Sequence, residues 1–169
     1  ALVVERFAQA AERADRAGFD MIELHGAHGF LIHEFLSPLA NQRQDAYGGT
    51  ETKRMRFALE VAEAVRARWP AAKPLFMRLS VQDDAGWGPE QSVVLARELK
   101  RLGVDAIDCS AGGILGKPPS GAAKPAYGYQ VPYAEQIKRD AGLLTMAVGL
   151  IVHATQAEAI LQSGQADLI

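Results

Sequence analysis

The sequence predicts an α/β protein that forms part of a (β/α)8 barrel, and three observations lead there. Short apolar segments alternate with amphipathic stretches: residues 21–25, 74–80, 104–110 and 143–149 read as buried strands, and 166–169 as the start of a fifth. Buried strands separated by helices pair in parallel, because each helix carries the chain back over the sheet. A weak repeat recurs at Gly18-Phe19-Asp20-Met21-Ile22, Gly103-Val104-Asp105-Ala106-Ile107 and Gly164-Gln165-Ala166-Asp167-Leu168-Ile169, each a glycine stop and an aspartate before a strand. No Gly-x-Gly-x-x-Gly follows a strand, which favours a barrel over a doubly wound dinucleotide fold, although the number of units alone leaves that choice open.

Each element has a local cause. Residues 1–17 carry apolar Val4, Phe7, Ala11 and Ala14 at helical spacing, and Gly18 suits the left-handed residue that ends a helix. The strand at 21–25 runs into a histidine-bearing stretch, which closes with Pro38 and a polar loop at 41–49. Thr50 can cap the next helix with its hydroxyl; Met55, Ala58, Ala62, Val65 and Trp69 form that helix's stripe. After the strand at 74–80 and a polar loop at 82–88, Pro89 suits a first helical turn, where its missing N–H costs nothing. Leu95, Leu99 and Leu102 line that helix, and Gly103 ends it. Residues 133–140 and 154–162 read as the last helices. The Gly/Pro-rich connection at 111–130 is longer than a plain connector and reads as a lid or binding loop.

The composition is that of a globular domain. It combines 49% hydrophobic with 22% charged residues over 169 positions. A net charge of -2 gives no electrostatic case for nucleic acid or an anionic membrane. No apolar run approaches the ~18 residues of a membrane span, and no signal peptide is visible. The single cysteine, Cys109, excludes an internal disulfide and suggests a reducing, cytoplasmic setting. The chain begins within a helix and stops within a strand, so it reads as an internal piece of a longer polypeptide.

The residues with chemistry gather at strand ends, where parallel α/β proteins bind ligands. His25 and His28 flank the spacer Gly26-Ala27. They read as packing histidines, as metal ligands, or as neutral donors that grip a substrate oxygen and stabilise charge developing on it. A metal needs a third ligand, and His33 and Glu34 lie too close along a helical turn to supply one convincingly, so no metal is expected. Arg78 interrupts an apolar strand. A salt bridge to Glu23 or Asp108 and a contact with an electron-rich cofactor weigh equally for it. Gly149 could admit a phosphate to the backbone. Cys109 reads as an inert core thiol.

The stretch HGAHGFLIHEFLSPLANQRQDAYGGTETKRMRF, with FMRLS, VDAIDCSAGG, GYQVPYAEQI, AVGLI and GQADLI in order, resembles the old yellow enzyme family of FMN-dependent ene-reductases, in its bacterial thermophilic-type or xenobiotic-reductase branch. That likeness covers nearly the whole chain. It implies that residues 1–169 are the C-terminal part of a single FMN-binding barrel, about strands four to eight, truncated at both ends. It implies FMN as cofactor, NADPH or NADH as reductant, and a small α,β-unsaturated carbonyl or nitro compound as substrate. It leaves a homo-oligomeric parent open. His25 and His28 would bind the substrate; Arg78, Gly149 and Ser110 would meet the flavin. One departure stands out. Much of the family has a proton-donating tyrosine at the position of Phe30, and phenylalanine has no proton to give. Water or Tyr129 would have to replace it. The competing expectation is an inactive half-barrel that cannot hold FMN alone.

Overall fold

The computed structural model describes residues 2–116 and 126–169. Along them run α1 (Leu2–Arg16), β1 (Ile22–Gly26), α2 (Leu31–Leu36), α3 (Glu51–Arg66), β2 (Leu75–Ser80), α4 (Pro89–Arg101), β3 (Ala106–Ser110), α5 (Val131–Ala141), β4 (Leu144–Ala147) and α6 (Ala154–Gln162). The strands form one parallel sheet in the sequential order β1-β2-β3-β4. A doubly wound sheet reverses direction at a switch point, whereas consecutive parallel strands make an arc of a barrel. The anticipated fifth strand is reduced to a single parallel bridge between Met146 and Leu168. Its polar groups are nonetheless engaged, since Ala147 N–H donates to Leu168 O at 2.9 Å and Leu168 N–H to Thr145 O at 3.0 Å.

The sheet has two chemically different faces. Leu24, Leu75, Met77, Leu79, Ile107, Cys109 and Ala147 are buried in one core cluster with α3, α4 and α5. The alternate residues, among them His25, Arg78 and Asp108, lie outside that cluster. Period-two alternation thus sends the apolar set to the helices and the polar set to the opposite face.

The glycine–aspartate repeat has a structural cause. Asp105 Oδ2 accepts Leu75 N–H at 2.8 Å, and Asp167 Oδ2 accepts Thr145 N–H at 3.0 Å. Each aspartate ties down an amide at the start of the preceding strand. Gly18, Gly103 and Gly164 adopt positive φ as helix stops. Thr50 accepts Lys53 N–H as expected of a cap, and Pro89 occupies the first turn of α4.

Two segments differ from the sequence reading. Residues 31–36 form a helix of their own, α2, where the sequence reading has only a helical turn at His33 and Glu34; Ile32 and Leu36, four apart, are both buried. A helix this short leaves little periodicity to read. Trp69 lies beyond the end of α3; its indole N–H donates to Lys73 O and Pro74 O, so it packs the following turn. Of the expected lid at 111–130, residues 117–125 lie outside the described residues.

Candidate active site

Register brings the polar face together. His25 pairs with Arg78, Arg78 with Asp108, and Asp108 with Met146, so these residues form one row across four strands. Arg78 Nε lies 3.2 Å from Asp108 Oδ2, with the Asp108 side chain 5% exposed and that of Arg78 31%. Of the two carboxylates foreseen as partners, Asp108 makes the ion pair. Burial raises the Asp108 carboxyl above its usual range, against the pull of Arg78. Glu23 is raised by burial and then by the Asp108 charge, with Arg78 again opposing. Arg78 Nε and Asp108 Oδ1 are buried without a hydrogen-bond partner. Nε faces Asp108 in the ion pair, so Asp108 Oδ1 is the acceptor left over, where buried polar groups are normally satisfied.

His25 lies in β1, and His28 stands on a tight turn just after it. His28 has φ +57° and Gly29 φ +78°. The His28 N–H donates to Ser80 Oγ at 3.0 Å, and the Ser80 hydroxyl donates to Gly112 O at 2.7 Å. His28 Nε2 lies 2.6 Å from Ser110 Oγ. The His25 and His28 ring centroids are 5.3 Å apart, and Phe30 packs on His25 at 4.9 Å. The ends of β1, β2 and β3 thus converge on His28, and the sequence reading missed the part that Ser80 plays there. The only hint at Ser80 is a polar residue closing an apolar strand.

Gly113 makes this convergence possible. A Cβ there would sit 2.2 Å from His28 Cα, and the residue has φ +114°. Gly113→Ala is expected to destabilise the protein by about 1–3 kcal/mol through strain and overlap. Urea unfolding would show it, and an unchanged midpoint would refute the close-packed turn.

Both histidines are held neutral. Burial lowers His25 and His28 below their ordinary value of 6.5, and the Arg78 charge adds to this. The unfolded chain takes up these protons near 6.5 and the folded protein only at lower pH. Stability from these groups is therefore present at neutral pH and is lost as pH falls below 6.5. An NMR titration is expected to give both rings midpoints under 6.5; a midpoint at or above that value for either ring counts against the geometry. Neutral imidazoles carry one donor and one acceptor nitrogen each, the equipment needed to hold a carbonyl or nitro oxygen.

The other candidates fall as follows. Ser110 is drawn to His28. Gly149 has φ +102°, its carbonyl accepts Gly128 N–H, and the Gln130 side chain fills the space a Cβ would need. The Tyr129 hydroxyl accepts from Gln130 Nε2 at 2.9 Å. Phe30 is 60% exposed. Cys109 is buried, which pushes its thiol well up and leaves it protonated. Among the described residues, no three His, Cys, Asp or Glu side chains are grouped to hold a metal, and no helix is long and apolar enough to cross a membrane.

Comparison with known proteins gives the family. A model described as the NADH:flavin oxidoreductase / NADH oxidase family matches residues 1–169. An NADPH dehydrogenase of Geobacillus sp. (strain WCH70) is 49% identical over 168 residues, 98% of this chain and 48% of the relative. Morphinone reductase in complex with tetrahydroNAD superposes with TM-score 0.76 at 29% identity, covering 98% of this chain and 43% of the other. An old yellow enzyme homologue from Zymomonas mobilis gives 0.78 at 28% identity, over 99% and 46%. The chain spans about half the length of the curated relatives it matches.

Proposed function

Because the chain belongs to the NADH:flavin oxidoreductase / NADH oxidase family, we propose that the protein carrying it is an FMN-dependent enzyme that reduces activated alkenes with NADPH or NADH. Its substrates are α,β-unsaturated carbonyl or nitro compounds. The observation that carries this reading is the neutral His25–His28 pair beside the half-exposed Arg78 row at the strand ends. On this reading, residues 1–169 are the C-terminal part of one barrel, about strands four to eight.

The residues suit the cofactor. The Arg78 side chain is partly exposed on the polar face, so its guanidinium can meet an electron-rich, anionic ring edge. Gly149 has the backbone freedom to lie against a phosphate. Bound FMN would supply hydride transfer between the nicotinamide and the alkene. The chain's own part is positional and electrostatic. His25 and His28 hold the activating oxygen and stabilise the charge that develops on it. Ser110 anchors the His28 ring. Phe30 offers no proton, so water or another donor, such as Tyr129, completes the reduction.

The test is NADPH oxidation by the FMN-loaded, full-length protein with and without 2-cyclohexenone. Alkene-dependent oxidation with formation of the saturated ketone is expected; loaded enzyme that oxidises NADPH equally without the alkene would end the proposal.

A second reading concerns the 169 residues alone: an inactive half-barrel. Among the described residues β1 pairs only with β2, so its other edge is bare, and a bare edge favours association over a closed site. Titrating FMN into the isolated chain is expected to leave the flavin spectrum unperturbed. Tight stoichiometric binding overturns this reading.

A further inference from the structure

His33 is fully buried on α2, directly behind the histidine turn. Its Nδ1 accepts Gly29 N–H at 2.9 Å. A ring nitrogen that accepts carries no proton, so a neutral His33 bears its hydrogen on Nε2. That atom lies 3.5 Å from Asp83 Oδ2, and both side chains are 0% exposed. Asp83 cannot turn away, because its Oδ1 accepts Ala85 N–H at 2.7 Å and Trp87 N–H at 2.9 Å. Burial works to raise the Asp83 carboxyl, but the His33 and Ser37 side chains and those two amides together hold it below its usual range. A chain of contacts thus runs from the loop after β2, through Asp83 and His33, to the Gly29 peptide. That peptide adjoins His28, the residue at φ +57° whose ring reaches Ser110.

We propose that Asp83 and His33 are positioning residues for the site: Asp83 selects the Nε2–H form of His33, whose Nδ1 then holds the Gly29 peptide and aims His28. The tautomer and the aim of His28 stand on the geometry alone; only the catalytic consequence rests on the proposed ene-reduction.

Three substitutions separate the two ends of the imidazole. Asparagine places Oδ1 where Nδ1 was, so His33→Asn keeps an acceptor for Gly29 and gives up the Asp83 contact. Glutamine places its amide where Nε2 was, so His33→Gln keeps the Asp83 contact and gives up the Gly29 acceptor. In Asp83→Asn the two loop amides retain the carbonyl oxygen, so the NH₂ faces His33 Nε2. That nitrogen must then accept, and Nδ1–H is left opposing Gly29 N–H.

The experiment is ¹⁵N spectroscopy of histidine-labelled full-length protein, with enone kinetics on the FMN-loaded form. In the wild type, His33 is expected to show a protonated Nε2 and a bare Nδ1; the reverse pattern overturns the proposal, without any variant having to fold. In Asp83→Asn the pattern is expected to invert, and an unchanged pattern overturns it. His33→Gln is expected to raise KM for 2-cyclohexenone about tenfold more than His33→Asn does, the scale of one lost hydrogen bond, with the smaller share in kcat. Equal KM in the two variants overturns it. If no form turns over an enone, the ene-reduction fails by itself, and the His33 and His28 ring signals still decide the positioning.

Discussion

Phe30→Tyr is expected to raise turnover of an α,β-unsaturated ketone by about 10²- to 10⁴-fold, the range of general acid catalysis, and by less where water already does the work. The Phe30 ring lies 4.9 Å from His25, on the residue proposed to hold the substrate oxygen. It is 60% exposed, so an added hydroxyl needs no buried partner and disturbs no packing. The substitution therefore adds a proton donor next to the reacting group at little structural cost. Steady-state turnover together with the solvent isotope effect would read it. An unchanged rate, once hydride transfer has been shown not to limit, would sink the idea.

The second large effect is expected at His25. Removing one preorganised donor from a developing oxyanion costs about 10²- to 10³-fold in rate, and His25→Ala should lower kcat/KM for the same ketone on that scale. His25 is the better position to test because it sits in β1, where alanine is accommodated. His28 has φ +57°, so alanine there would mix backbone strain with the loss of the ring. Arg78 and its Asp108 partner are untouched by the change, so FMN affinity should hold. A kcat/KM equal to wild type would remove His25 from the site.

Much of this was legible beforehand for local reasons. Helix stripes, glycine stops and the Thr50 cap depend on residues within one or two turns, and apart from Trp69 they stand where the spacing put them. So do the four strands, because a buried strand is a short apolar run whatever its neighbours. The reading was incomplete where a segment's fate depends on distant packing. Residues 31–36 become helical with Ile32 and Leu36 in the core. His33, set aside in the sequence as a poor metal ligand, is buried against Asp83, fifty residues away in the chain.

The same division runs through the site. The sequence by itself determined that His25, His28 and Arg78 lie in or just after strands, that Phe30 lacks a transferable proton, and which family the motifs resemble. Only the tertiary structure decided that Asp108 rather than Glu23 pairs with Arg78, that Ser110 grips His28, and that Ser80 and Gly113 shape the turn beneath it. Those contacts cross between neighbouring strands, and they exist only in one register. Slipping a strand by one residue would turn Arg78 or Asp108 towards the helices. A linear pattern carries the alternation of faces; which residues stand side by side on a face is settled when the whole sheet buries its apolar side at once.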